Sequence, residues 1–440
     1  MSNYKYSIEQ YHAIESAQLL LRGISVLAGI NGCGKSTLSR WLYYIINTAA
    51  CFDENLFYEI KSAVTKSIRD YEDIYDDIYG ARNNDEILSK AIRAIKKIRF
   101  EGEESVDDLL SVYNATTQHF AEILYDILST NLDQSKEKRI LNYLGIEKND
   151  NETYESIKER FLTESINSGE KAKETYQKYQ SERSIDKFAR MIARNYREQD
   201  KMPTNLHFAE DGVDLIVNGR LNSIYGIDNA IYIDTPMALY ESDSNISYWR
   251  DLQQLILEKE EHIENEETIK KILFRIRRIT GGKIEEKKDI LGDIELRFVS
   301  KDNQLNIRLE DTATGIKSFA YLERLLINGH LNSHTLLLID EPEAHLHPEW
   351  VVEFAHLLVL LHKEMGVKIM IASHNPDMVS AIRYIAEKEQ VLEDTNFYQA
   401  VRNNETQKYV YQDLQQDIEG IFASFNKAIA KIDTYGSSSL

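Results

Sequence analysis

Nine residues, Gly29-Ile30-Asn31-Gly32-Cys33-Gly34-Lys35-Ser36-Thr37, constrain this chain more than any other stretch. They match the phosphate-binding pattern GxxxxGK[ST] at every fixed position. Ile24 to Ala28 reads as a short buried strand and Thr37 to Ile46 as a helix. A glycine-rich loop between a strand and a helix wraps a triphosphate with backbone N–H groups, and the helix N-terminus adds a favourable dipole. Gly29, Asn31, Gly32, Cys33, Gly34, Lys35, Ser36 and Thr37 are therefore the expected set contacting a nucleotide triphosphate. Lys35 reaches the β- and γ-phosphates, and the Ser36 hydroxyl ligates Mg2+. A ligand-free glycine turn is the alternative, and the coincidence of strand, glycines, Lys-Ser and helix argues against it.

With 440 residues the chain has room for two or three compact units. No apolar run approaches the roughly 20 residues that span a bilayer, so no membrane partner is expected. The start, Met1-Ser2-Asn3-Tyr4-Lys5, has no signal-peptide core, and Cys33 and Cys51 offer no disulfide framework. Both point to the cytoplasm. The net charge of −20 argues against wholesale electrostatic binding of nucleic acid, so any such contact needs a local patch or a partner.

The chain reads in three segments, 1–47, 48–202 and 203–440. Tyr4 to Glu9, Ala13 to Leu21 and Ile24 to Ala28 form strands ahead of the loop. Residues 48–202 contain no proline and carry helical stripes such as Ile87, Leu88, Ile92, Ile95 and Ile98, which predicts a helical lobe. Lys171 to Lys201 reads as an extended helix within it. Strands return at Asn205 to Ala209 and Val213 to Asn218 around Glu210-Asp211-Gly212, and at Asn229 to Asp234. Ser247 to Arg278 reads as helical, and Ile290 to Val299 with Gln304 to Glu310 as a hairpin. The tail reads as a hairpin (Asn396 to Val401, Lys408 to Gln412) and a helix from about Asp417 to Ile432.

Between these lies a second block of chemistry. Thr335 to Ile339 is a fully apolar strand ending in Asp340-Glu341-Pro342, and Val367 to Ala372 is another ending in Ser373-His374-Asn375-Pro376. Such runs suit parallel strands covered on both faces. Asp340 is placed to hold Mg2+, Glu341 to take a proton from the attacking water, and His374 to hydrogen-bond the γ-phosphate.

These residues resemble the ABC-type ATPase family, in its SMC/RecF/OLD-like branch, through Gly29 to Thr37 (Walker A), Leu336 to Glu341 (Walker B with its glutamate) and His374 (switch histidine). The run Asp340-Glu341-Pro342-Glu343-Ala344-His345-Leu346-His347-Pro348 is similar to OLD-family nucleases and Septu-type (PtuA) defence ATPases. The resemblance implies an α/β fold, an ABC-type P-loop NTPase head with a mixed sheet flanked by helices and a large helical insertion lobe. It implies a signature motif, matched by Thr312-Ala313-Thr314-Gly315-Ile316-Lys317 ahead of a helix from Ser318, with Thr312, Thr314 and Gly315 meeting ATP bound to an opposing subunit. It further implies a homodimer or higher oligomer closed around ATP, and a separate effector protein, a nuclease, in anti-phage defence. Ala313 departs from the family, which has serine there, and no Q-loop glutamine stands between Asp234 and Gln253. His345 and His347 are placed near the subunit interface rather than on zinc. The residues after His374 are too few for the Toprim nuclease of OLD enzymes, so no nuclease is expected in this chain. Two alternatives stay open. One is a DNA-maintenance ATPase binding nucleic acid through Lys270, Lys271, Arg275, Arg277 and Arg278, or through the weaker cluster Arg93, Lys96, Lys97 and Arg99. The other is a nucleotide-gated scaffold with little turnover.

Overall fold

The computed structural model describes residues 2–80, 85–130, 132–149, 152–198, 200–234, 246–260, 263, 265–288, 294–422 and 434–435. Strands β1 (Tyr4–Tyr11), β2 (Ile14–Leu21) and β3 (Ile24–Ala28) lead into helix α1 (Lys35–Ala50). Helices α2 (Phe52–Tyr79), α3 (Glu86–Lys97), α4 (Glu104–Ser129), α5 (Gln134–Tyr143) and α6 (Tyr154–Glu182) follow. They form one compact unit, Cys51–Ser184; Met1–Ala50 and Ile185–Leu440 form the other.

Inside the helical unit the apolar stripes meet as aromatic contacts. Tyr71 of α2 stacks on Phe120 of α4 at 4.3 Å between ring centroids, and Phe161 of α6 closes edge-on at 5.8 Å. Gly169 lets α6 approach Tyr113, which a Cβ there would meet at 3.4 Å. Asp85 caps α3 by accepting from the N–H groups of Ile87 and Leu88. Helix α6 stops at Arg183, whose backbone is left-handed (φ 42°), so Lys171 to Lys201 is not one continuous helix.

The other unit resumes with α7 (Ile185–Asn195), then β4 (Leu206–Glu210), β5 (Val213–Asp214), β6 (Ile216–Val217), β7 (Arg220–Leu221) and β8 (Asn229–Ile233). Asp211 (φ 49°) and Gly212 (φ 84°) make the tight turn between β4 and β5. The stretch that reads as one strand is divided at Leu215 into β5 and β6, and a second turn at Asn218 (φ 50°) and Gly219 (φ 76°) joins β6 to β7. Helices α8 (Ser247–Leu257) and α9 (Glu266–Thr280) replace the single helix expected over 247–278. The chain continues through β9 (Gly282–Lys288), β10 (Ile294–Ser300), β11 (Asn306–Arg308), α10 (Thr314–Ile327), β12 (Thr335–Asp340), α11 (Pro348–Met365) and β13 (Lys368–Ser373). It ends with α12 (Pro376–Lys388), β14 (Thr395–Arg402) and β15 (Tyr409–Gln415). Most of the terminal helix expected over 417–432 lies outside the described residues.

Ten strands form one sheet in the order β5-β4-β1-β2-β15-β14-β3-β13-β12-β8. Its β14-β3-β13-β12-β8 half is parallel, and its other end is a set of antiparallel hairpins. Every residue of β3, β12 and β13 is buried, which is why runs such as 336–339 and 369–372 are apolar. Helices α10 and α11 cover one face with Phe319, Leu322, Leu325, Phe354 and Leu358, all buried against Leu337, Ile369 and Ile371. Each such side chain contributes about 1.5–3 kcal/mol on leaving water. A smaller sheet, β11-β10-β9, lies beside α9 and α10. Its strand β9, which the sequence pattern did not single out, follows the helix-ending Gly281 (φ 72°) directly.

Register now places the site. Ala28 pairs with Ser373, Asp340 with Ala372, and Ile339 with Ile233. The carboxyl ends of β3, β13, β12 and β8 therefore share one edge, where open parallel sheets bind ligands.

Candidate active site

The loop from β3 into α1 needs glycine for steric reasons. Gly32 (φ 79°) and Gly34 (φ 98°) are left-handed, and a Cβ on Gly34 would stand 2.7 Å from Ile14 Cγ1. A Cβ on Gly29 would stand 2.8 Å from Ala400 Cβ and from Cys33 Sγ. Lys35 is only 6% exposed, and its ammonium donates to the loop carbonyls of Gly29 (2.8 Å) and Ile30 (3.1 Å). Tyr411 of β15 holds the loop from behind, its hydroxyl donating to the Cys33 carbonyl at 3.2 Å.

Asp340 ends β12 beneath this loop. Ser39 donates to its Oδ1 at 2.9 Å and Tyr232 of β8 to its Oδ2 at 2.8 Å. Burial raises the Asp340 carboxyl above its usual range, against the hydroxyls of Ser36, Tyr232 and Ser39 and the charge of Lys35, which favour the carboxylate. Ser36 and Asp340 thus offer hydroxyl and carboxylate oxygen side by side, a donor set that fits a hard cation such as Mg2+. Asp234, just past β8, accepts from Tyr248 (3.0 Å) and Trp249 (2.7 Å) and extends this polar row.

Glu341 has a left-handed backbone (φ 48°), and its N–H is pinned to the Ala372 carbonyl at 2.7 Å. Strain of this kind at a non-glycine residue persists only where the surroundings enforce it. Its Oε1 lies 3.2 Å from Nδ1 of His374, the first residue beyond β13. Carboxylate and imidazole are each about half exposed, so both open toward solvent at the sheet edge.

The structure thus brings Lys35, Ser36 and Asp340 together on one side and Glu341 with His374 on the other. The signature segment stands apart. Among the described residues, Thr312, Thr314 and Gly315 share no hydrogen bond with the phosphate loop. The Thr312 hydroxyl is turned inward onto the Leu309 carbonyl at 2.7 Å. Helix α10 begins at Thr314, not Ser318, because Ala313 serves as its N-cap and its carbonyl accepts from Ile316 N at 2.9 Å. Gly315 packs under the segment after Glu341; a Cβ there would lie 3.3 Å from the His345 carbonyl and 3.4 Å from Trp350.

Several residues escaped the sequence reading. Ser39 is one helical turn beyond Ser36, a periodicity that could have revealed it. Tyr232 and Glu343 left no signal, since their partners are on other strands. The basic stretch on α9 is partly internal, with Arg275 paired to Glu353 (2.7 Å) and Arg277 to the buried Glu323 (2.8 Å), whereas Lys270 pairs with Glu266 (3.3 Å) on the exposed surface of the helix. His347 caps α11, its Nδ1 accepting from Glu349 N at 3.4 Å. Among the described residues no group of three His, Cys, Asp or Glu could hold a metal ion, and no helix is long and apolar enough to cross a membrane.

A phosphate loop, a carboxylate pair and a histidine on successive parallel strands make this unit the head of an ABC-type P-loop ATPase. The family model described as AAA ATPase domain (AAA_15) matches residues 4–379, and the chain belongs to that family. It is 42% identical over 72 residues to the energy-coupling factor transporter ATP-binding protein EcfA3 of Clostridium perfringens, covering 16% of this chain and 25% of that one. It is 41% identical over 64 residues to the Old nuclease of Escherichia phage P2, covering 14% of this chain and 11% of that one. The match thus spans a quarter or less of the length of these curated relatives. Among solved structures it is similar to the Smc head domain with an extended coiled coil bound to the C-terminal domain of ScpA from Pyrococcus furiosus. That alignment has 12% identity and a TM-score of 0.35, over 98% of this chain and 100% of that one. The SMC head domain from Thermotoga maritima aligns at 9% identity and a TM-score of 0.36, over 94% and 98%.

Proposed function

We propose that this protein binds and hydrolyses ATP with Mg2+, and that two copies close around the nucleotide to control a separate effector, a nuclease, in anti-phage defence. The observation that carries the hydrolytic reading is the Glu341–His374 pair, 3.2 Å apart at the same sheet edge as Lys35 and Asp340. In this reading the loop N–H groups and Lys35 bind the β- and γ-phosphates. Ser36 and Asp340 hold Mg2+, which supplies positive charge to the phosphate oxygens. Glu341 accepts the proton of the attacking water, and His374 orients toward the γ-phosphate. Solvent exposure of both side chains leaves the site open on the side where a second copy would seat.

Dimer closure is supported by the position of the signature. Thr314 and Gly315 head α10 with their own N–H groups at its start, and no hydrogen bond joins them to the phosphate loop among the described residues. The start of α10 in a second copy would present those N–H groups to the γ-phosphate. The effector and the defence setting rest on the resemblance to OLD-like and Septu-type proteins.

Glu341→Gln tests the reading. ATP binding is expected to persist while turnover falls by roughly 100-fold or more, the range for loss of a general base. Unchanged turnover removes Glu341 from the mechanism. A scaffold with little turnover is favoured by one observation, the absence of a signature hydroxyl at Ala313 combined with the inward Thr312. Wild-type turnover no greater than ATP hydrolysis in buffer alone would select it.

A further inference from the structure

The turn after β12 carries a second glutamate that the scheme above does not use. The Glu343 side chain is 3% exposed. Its Oε1 accepts from Ser373 Oγ at 2.7 Å and from the His374 backbone N–H at 3.2 Å, while its Oε2 is buried with no partner. The His374 ring stands between two carboxylates, its Nδ1 3.2 Å from Glu341 Oε1 and 3.6 Å from Glu343 Oε1. Glu341 meets the imidazole through Oε1, and turning its carboxylate onto the attacking water would draw that oxygen away from Nδ1. Once it turns to the water, Nδ1 needs another acceptor, and Glu343 is the group already beside it with an oxygen to spare.

We propose that Glu343 is the positioning residue of His374. It takes the Nδ1–H of the imidazole when Glu341 turns to the attacking water, which keeps Nε2 facing the γ-phosphate. Buried carboxylates fix the tautomer and ring direction of functional histidines in this way. The inference rests on the hydrolytic reading for its purpose, but the hold on the ring is a property of the protein alone.

The competing account is structural: Glu343 merely ties the turn after β12 to the end of β13. Glu343→Gln separates the two, because a glutamine carbonyl keeps the bonds to Ser373 and to the His374 N–H while the charge is lost. Two readouts are needed: steady-state ATP turnover, and the ring 15N shifts of His374 in histidine-labelled, ligand-free protein at mildly alkaline pH, assigned by their loss in His374→Gln. The shifts are compared with and without Glu343→Gln in a Glu341→Ala background, where Glu341 no longer competes for Nδ1. The expected result for Glu343→Gln is kcat lower by roughly 10- to 100-fold, KM for ATP changed by less than about twofold, and loss of the Nδ1–H tautomer. Glu343→Asp, which keeps the charge, is expected to restore part of both. An unchanged tautomer on adding Glu343→Gln to the Glu341→Ala background overturns the proposal, whether or not kcat falls. If the wild type shows no turnover the hydrolytic reading fails, and the tautomer comparison still decides whether Glu343 holds His374. If Glu343→Gln does not fold, the Glu343→Asp spectra carry the test: a wild-type tautomer is expected, and its loss overturns the proposal.

Discussion

Asp340 lies between Ser39 and Tyr232, whose hydroxyls use one carboxylate oxygen each, and burial pushes its proton affinity up. In the proposed site its capacity to hold a cation would depend on donors that keep it ionised and aimed. Removing them one at a time, as Ser39→Ala and Tyr232→Phe, is expected to raise the Mg2+ concentration for half-maximal turnover by roughly 10-fold. A Mg2+ titration of ATP turnover measures this, and an unshifted midpoint in both variants would exclude the supporting role. At this scale the sequence was legible wherever a motif tied residue type to backbone geometry, as at Gly34 and Lys35. It was silent where the partner is chosen by the sheet. Tyr232 sits beside Leu338 only through the β8–β12 register, and Glu343 reaches Ser373 only because β12 and β13 are neighbours. Thr312 was read as a ligand group, and its hydroxyl is bonded to its own turn.

Among the elements, β3, β12 and β13 were readable because burial on both faces demands continuous apolar runs. Pro348 and Pro376 stand in the first turns of α11 and α12, where a missing N–H costs nothing. The break between α8 and α9, the strand β9 and the start of α10 at Thr314 have no proline and no continuous apolar run to mark them in the sequence. The phosphate loop makes the sharpest demand on an element. Gly34→Ala places a Cβ 2.7 Å from Ile14 at a φ of 98°, so the loop must shift or Ile14 must move. The expected cost is about 1–3 kcal/mol of stability, with loss of ATP binding. Thermal unfolding and titration with a fluorescent ATP analogue read the two effects. Tight binding by a normally folded variant would show that the loop does not need this backbone.

The whole molecule consists of a helical unit, Cys51–Ser184, inserted by chain order between the two parts of an ATPase head. The head places the nucleotide-side groups on one edge of its sheet and leaves the start of α10 with no bond to its own phosphate loop among the described residues. On this account a single copy holds an incomplete site, and catalysis belongs to a pair. Specific ATP turnover measured over a wide range of protein concentration tests this most directly. The account predicts turnover per chain that rises with concentration to a plateau and disappears in Glu341→Gln. Turnover per chain that stays constant down to the most dilute sample, where light scattering shows single copies, would contradict it.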